Sequence, residues 1–395
     1  MSSLQADRRV VRQIRHDVSE RPFIVIWEVT RACQLACAHC RAEAIHQRNP
    51  LELSTTEGKA LFDDIAGFGK PYPIVILTGG DPFEREDLAE LTAYGHSLGL
   101  HMALSPSATP NVTAERLAAM REAGASAMSL SLDGATPAVH DAFRGFGGTW
   151  QRTIDSAGLI NDAGFRLQVN STVTSRTVAE LPKLLALLLD LKVHLWSLFF
   201  LVPTGRGKAL EALSPDQVED VLHWMVDISH TMPVKTTEAQ HYRRVVVQRA
   251  AAEKEGHGAE AFATGQLYAA LTQRTSEVLA GRELPTRPAR PPIDTNSGRG
   301  FVFVDHQGWV YPSGFLPQRA GNVRDEGTTF REIYREAPIL KALRDPDHFA
   351  GKCGVCEFNQ VCGGSRSHAY AVTGDPLASD PTCAYLPPRW REAAV

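Results

Sequence analysis

No stretch of this chain approaches the roughly 20 consecutive apolar residues that a bilayer crossing requires, and its polar opening, MSSLQADRR, does not read as a signal peptide. An excess of one charge is also missing. The formal net charge of −4 over 395 residues offers no electrostatic footprint for nucleic acid or an anionic membrane. There is no internal repeat and no low-complexity tract. Cysteines are few and odd in number, seven, in two groups: Cys33, Cys37 and Cys40, then Cys353, Cys356, Cys362 and Cys383. That count and clustering favour metal sites over disulfides. The expectation is a cytoplasmic protein with no nucleic-acid or membrane partner.

What is present is ordinary for a globular chain: 43% of residues are hydrophobic and 22% charged. Such a length accommodates about two to three domains and a core large enough to need no covalent staple. Apolar, β-branched runs at 22–29, 74–80, 100–105, 127–132, 165–172 and 194–201 alternate with helical spacing at 55–68, 86–98, 111–123, 150–163 and 178–191. Strands alternating with amphipathic helices imply βαβ units and a parallel sheet. The α/β fold expected is a six-unit (β/α)6 partial TIM barrel with a small C-terminal module. Residues 205–235 read as mainly helical, with Ser214 capping through Gln217. The Pro/Gly/Arg-rich 283–300 reads as a linker or a mobile loop over the barrel mouth. FVFVDHQGWVYP reads as a hairpin turning at Gln307-Gly308. The expected division is an N-terminal extension at 1–20, the barrel at 21–205, a helical bridge and flexible loop at 206–300, and a separate module at 301–395.

The segment TRACQLACAHCR places C-x3-C-x2-C directly after the first strand, where functional loops of such sheets lie. Three thiolates can ligate three irons of a [4Fe–4S] cube and leave the fourth iron without a protein ligand. The bland alternative is structural or zinc-binding cysteines, with His39 or His46 completing a set of four. The motif resembles the signature of the radical S-adenosylmethionine (SAM) superfamily. The resemblance covers nearly the whole chain. It implies that the open iron binds the amino and carboxylate groups of SAM, whose one-electron reduction releases a 5′-deoxyadenosyl radical. His39 stands where the family usually has another aromatic ring.

Thr78-Gly79-Gly80-Asp81-Pro82 follows the second strand and resembles the family's GGEP turn, which orients the methionine amine, with Asp81 in place of Glu. Glycines there let the backbone approach a ligand, although such a turn alone is often only a turn. Ser105 and Ser131 close the next two strands. The resemblance offers Ser131 or Arg144 for the SAM carboxylate, against a surface salt bridge from Arg144 to Asp133 or Asp141. It offers Asn170 for the ribose, against satisfying a buried backbone group, and Leu201-Val202-Pro203 for the adenine.

The late cysteines form C-x2-C-x5-C-x20-C, a complete tetrathiolate set for zinc or [4Fe–4S] on ligand chemistry alone. The pattern resembles the SPASM/twitch extensions of radical SAM enzymes and so implies an auxiliary [4Fe–4S] cluster. Ser313 stands where a full SPASM domain has a further cysteine, so one auxiliary cluster is expected, with three or four cysteine ligands. The surrounding text is similar to that of haem-modifying members, implying hydrogen abstraction from a porphyrin or haem precursor. The alternative is a peptide maturase; the roughly 20 residues before the first strand leave no room for a leader-binding domain. A reductant such as flavodoxin or ferredoxin is implied. A non-catalytic iron–sulfur or zinc carrier is the reading from another class. His241, Tyr242, Arg243 and Arg244 read as a solvated helix face, the alternative being a contact to substrate carboxylates. Arg287, Arg290 and Arg299 are similarly placed in the flexible segment. His306 and His368 read as core or surface residues rather than ligands.

Overall fold

A computed structural model describes residues 10–393 apart from 36 and 38; residues 1–9 of the expected N-terminal extension lie outside these. Seven strands run parallel in sequence order: β1 (Ile24–Thr30), β2 (Ile74–Gly79), β3 (His101–Leu104), β4 (Ala127–Ser131), β5 (Arg166–Val173), β6 (Leu195–Phe200) and β7 (Val234–Thr237). Between them lie helices α1 (Thr55–Ala66), α2 (Leu88–Ser97), α3 (Ala114–Glu122), α4 (Pro137–Arg144), α5 (Thr149–Asp162), α6 (Leu181–Asp190) and α7 (Pro215–Ile228). The strands fall where the apolar runs predict. The exception is β7, whose four residues give too short a run to stand out from the helical text around it.

Side-chain alternation decides which face does what. In β5, Leu167, Val169 and Val173 are buried under the helices, while Gln168, Asn170 and Thr172 face the interior. Trp27 on β1 packs edge-to-face on Phe62 of α1, and Trp196 on β6 does the same with Trp224 of α7. Gly58 lets α1 sit directly on Trp27, since a Cβ there would lie 2.5 Å from the indole ring. Helix α7 begins with the capping box of Ser214 and Gln217.

The C-terminal third joins the barrel at both of its open edges. After α8 (Tyr242–Lys254), α9 (Gln266–Leu279) and the two-residue β8 (Asn296–Ser297), strand β9 (Gly300–Val304) pairs parallel with β1. The β9–β10 hairpin turns at Gly308 (φ 86°), and β10 (Trp309–Tyr311) and β11 (Gly321–Asn322) continue the sheet antiparallel. At the other edge Glu238, just past β7, accepts hydrogen bonds from Ser313, Ser365 and Ser367. The sheet therefore runs unbroken from β7 to β11, and the extension bridges its two edges at the C-terminal end.

Two sequence readings are corrected here. The 283–300 segment does not cover the mouth: the Arg287 N–H bonds His230 before β7, and the Gly300 carbonyl accepts from Phe23 before β1. It passes the N-terminal strand ends, pinned where Arg243 donates to the carbonyls of Ile293 and Thr295. Nor is the head of α8 solvated. His241, Arg243 and Arg244 are buried, with Arg244 gripping Glu219 bidentately at 2.6 Å. Polar composition concealed this, because each cation is buried together with its partner.

Candidate active site

Loops at the C-terminal strand ends enclose a cavity of ≈ 330 Å³. Cys33, Cys37 and Cys40 form part of its wall, together with Thr78, Gly79, Gly80, Ser105, Ser131, Arg144 and Asn170. The structure thus brings all three cysteines and seven of the eight polar and glycine SAM-site candidates onto one cavity. Asp81 does not line it. Its carboxylate accepts from Thr109 Oγ1 at 2.6 Å and from the Phe83 N–H at 3.1 Å, and burial pushes its pKa up to about 6. Asp81 shapes the turn, leaving backbone and the Thr78 side to meet a ligand.

The glycines of that turn have a packing reason that sequence reading missed. A Cβ on Gly79 would lie 2.5 Å from the Thr30 carbonyl oxygen, and one on Gly80 2.4 Å from that of Ala32. The turn lies against the backbone entering the cysteine loop, held by Gly80 N–H to Thr30 and Asp81 N–H to Ala32. Glycine is required here by chain meeting chain. Ser107, not anticipated, donates to the Gly80 carbonyl at 2.7 Å and stands 3.7 Å from Cys33 Sγ.

Arg144 is half-buried at the cavity wall rather than on the outer surface. It forms an ion pair with Asp133 at 2.7 Å, and its Nη1 lies 3.7 Å from Cys37 Sγ. Asp141 instead caps the start of α5 through Thr149 and Trp150. Burial alone would raise the Asp133 carboxyl, but the Arg144 guanidinium and the nearby histidines more than reverse this and hold it below its ordinary value. His39 stacks on Phe143, centroids 4.5 Å apart, and burial lowers its pKa to about 4. It is therefore a neutral planar ring at pH 7, the role expected of an aromatic residue. Asn170 accepts from Gln168 at 2.6 Å, and Ser105 accepts from Ser129 at 2.8 Å. Leu201 and Val202 line the cavity, whereas Pro203 does not.

The four late cysteines line a second, much smaller cavity of ≈ 20 Å³, with Arg244 and Lys352 in its wall. Here too backbone N–H groups point at sulfur: Gly364 at Cys362 (3.4 Å) and Asp380 at Cys353 (3.3 Å). Leu35 does so at Cys33 (3.3 Å) and Ala44 at Cys40 (3.5 Å). Burial pushes the Cys33 thiol up to about 11 and Cys356 up to about 12, so both would stay protonated without a cation. Iron ligation would supply that cation, and N–H···S donors are a recurring means of tuning iron–sulfur centres. Both cysteine sets fit [4Fe–4S] clusters on these grounds. Arg366 adds a guanidinium 3.6 Å from Cys353 Sγ.

His306 and His368 hold the frame together. His306 Nδ1 sits 3.1 Å from the buried Glu28, which Arg41 also grips at 2.5 Å. The ring N–H of His368 bonds the Leu201 carbonyl at 2.8 Å. Arg299 pairs with Asp294 at 2.8 Å. No helix among the described residues is long and apolar enough to cross a membrane.

Comparison with known proteins agrees with this geometry. Residues 27–188 match the model of the radical SAM superfamily. An AdoMet-dependent heme synthase of Methanosarcina barkeri is 37% identical over 94% of this chain and 98% of its own length. A more distant relative, a PqqA peptide cyclase of Rhodopseudomonas palustris, is 27% identical over 93% of this chain and 88% of its own. Among solved structures, Streptococcus suis SuiB bound to S-adenosylmethionine superposes with a TM-score of 0.63 at 14% identity, covering 93% of this chain and 78% of that one. Enzymes of this type use SAM with a [4Fe–4S] cluster, and those with the SPASM-type extension carry auxiliary clusters. The chain belongs to the radical SAM superfamily, as a member with a SPASM/twitch-like C-terminal extension.

Proposed function

We propose that this enzyme acts on a porphyrin or haem precursor, abstracting a hydrogen atom from one of its side chains. The observation that carries this is the apolar part of the cavity wall. Phe199, Phe301, Phe303 and Phe315 make an aromatic surface, continued by Ile24, Ile26 and Ile76 from β1 and β2. Such a wall suits a flat, apolar macrocycle better than an extended peptide, whose backbone would need polar partners. The higher identity to a relative named a haem synthase supports the same reading.

In it, Cys33, Cys37 and Cys40 hold the catalytic cluster, which with SAM supplies the 5′-deoxyadenosyl radical. Thr78, Gly79 and Gly80 present backbone to the methionine amine, and Arg144, already pinned by Asp133, offers its guanidinium to the carboxylate. Ser105, Ser131 and Asn170 supply hydrogen bonds to the remaining polar groups. Cys353, Cys356, Cys362 and Cys383 hold a single auxiliary cluster that passes an electron. The protein works in the cytoplasm with a flavodoxin or ferredoxin as reductant and no nucleic-acid partner. Residues 21–205 with β7 form the catalytic barrel, and residues 301–395 form the auxiliary unit.

The test is anaerobic reconstitution, then dithionite, SAM and an iron porphyrin carrying propionates. The porphyrin should stimulate 5′-deoxyadenosine release and itself lose mass. Stimulation by a peptide substrate alone would transfer the enzyme to the peptide-maturing branch.

A further inference from the structure

Four charged side chains line the large cavity: Arg41, Arg144, Lys235 and Glu238. Three have partners. Arg41 is bound to Glu28, Arg144 to Asp133, and Glu238 takes hydroxyl donors from Ser313, Ser365 and Ser367. Lys235 has neither a hydrogen bond nor an ion pair among the described residues. An ammonium taken out of water without a partner is costly, and folded chains retain one chiefly where a ligand completes it.

Its position follows from the sheet register. Ser131 pairs with Asn170, Asn170 with Ser197 and Ser197 with Lys235, so one rung crosses β4 to β7 and ends at this amine. Alternation on β7 sends Val234 into the core and turns Lys235 and Thr237 to the interior, where Thr237 meets Ser197 at 3.3 Å. Arg144 stands at the cysteine end of the cavity, beside Cys37. Lys235 stands on the parallel strand furthest in the sheet from β1. One cation is thus placed for the cofactor, and another has no cofactor to serve.

We propose that Lys235 binds a carboxylate arm of the substrate, fixing the orientation of the macrocycle against the phenylalanine wall. This rests on the flat-substrate reading above. The ligand chemistry is a carboxylate arm on a largely apolar body: one ammonium without a partner is available, and Phe199, Phe301, Phe303 and Phe315 line the same cavity. Burial, with Arg290 nearby, lowers the pKa of this amine to about 8, which leaves it protonated at pH 7 and strengthened by an arriving anion.

The test uses the reconstituted holoenzyme and two probes, iron mesoporphyrin and its dimethyl ester, titrated by absorbance. Wild type should bind the diacid about tenfold more tightly than the ester, the scale of one charge-assisted contact. Lys235→Met should reduce diacid affinity to that of the ester while leaving ester affinity and SAM binding by equilibrium dialysis unchanged. Lys235→Arg should restore the preference. The melting temperature of Lys235→Met should not fall, because the variant removes an unpaired, half-buried charge. Unchanged diacid affinity in Lys235→Met would overturn the proposal, as would loss of SAM binding. If wild type binds neither probe, the flat-substrate reading fails first and the assignment of Lys235 with it.

Discussion

The two cysteine sites use the same atoms to opposite ends. The first sets three thiols in the wall of a ≈ 330 Å³ cavity shared with glycine backbone, serines and a buried guanidinium. The second closes four thiols around ≈ 20 Å³. Both aim backbone N–H groups at sulfur. The difference lies in room and thiol count: three thiols beside a large cavity leave space for a small molecule, and four around a tight one leave little. Their surroundings differ as well. Arg144 at the first site is tied to Asp133 and faces the cavity; at the second, Arg244 is likewise tied to a carboxylate, Glu219, whereas Arg366 meets only carbonyls and the Cys353 thiol.

The strongest way to break this contrast is to remove one thiol from each site. Cys37→Ala should abolish 5′-deoxyadenosine release and lower iron by about four per chain, from about eight. Cys356→Ser should lower iron by a similar amount, retain SAM cleavage and stop substrate conversion. Equal loss of cleavage in both variants would erase the distinction. Next in size is Arg144→Ala, which strands Asp133 as a buried unpaired carboxylate and should cost about 3–5 kcal/mol in urea unfolding. Arg144→Lys should fold better but bind SAM about tenfold more weakly, since an ammonium cannot grip two groups in a plane. Full SAM affinity in Arg144→Lys would remove this residue from the cofactor site.

Gly80→Ala forces a Cβ to within 2.4 Å of the Ala32 oxygen and should cost about 2 kcal/mol, displacing the turn from the cysteine loop. A stable variant with normal SAM affinity would contradict the packing account. The smallest effect is one of pH. His140 near the first site and His241 near the second are held neutral, chiefly by burial, with pKa values lowered to about 4. The folded state therefore binds fewer protons than the unfolded chain between pH 4 and 6.5, so stability is complete above 6.5 and falls on acidification. At pH 5 the loss should be on the order of 1–2 kcal/mol per histidine. His140→Phe should flatten part of the dependence of the urea midpoint; an unchanged slope would count against it.

Much of this contrast was legible in the sequence, because cysteine spacing and apolar periodicity are local. The six barrel strands and the capping box of α7 follow from residues close in sequence, as does the hairpin at Gln307-Gly308. What was not legible depends on partners far away. Arg243 and Arg244 look solvated until Glu219 and the carbonyls of Ile293 and Thr295 are placed beside them. Asp81 looks ligand-facing until Thr109 claims it. Strand β7 is short, and with it Lys235 and Glu238 escaped notice. Nothing near Glu238 in sequence signals that three serines from the extension converge on it.

The central claim is that one site is open to SAM and the other is closed. Low-temperature electron paramagnetic resonance of the reduced Cys33→Ala/Cys37→Ala/Cys40→Ala and Cys356→Ser proteins, each with and without SAM, tests it most directly. The account predicts that SAM shifts the cluster spectrum of Cys356→Ser and leaves that of the triple variant unchanged. A SAM-induced shift in the triple variant would contradict it.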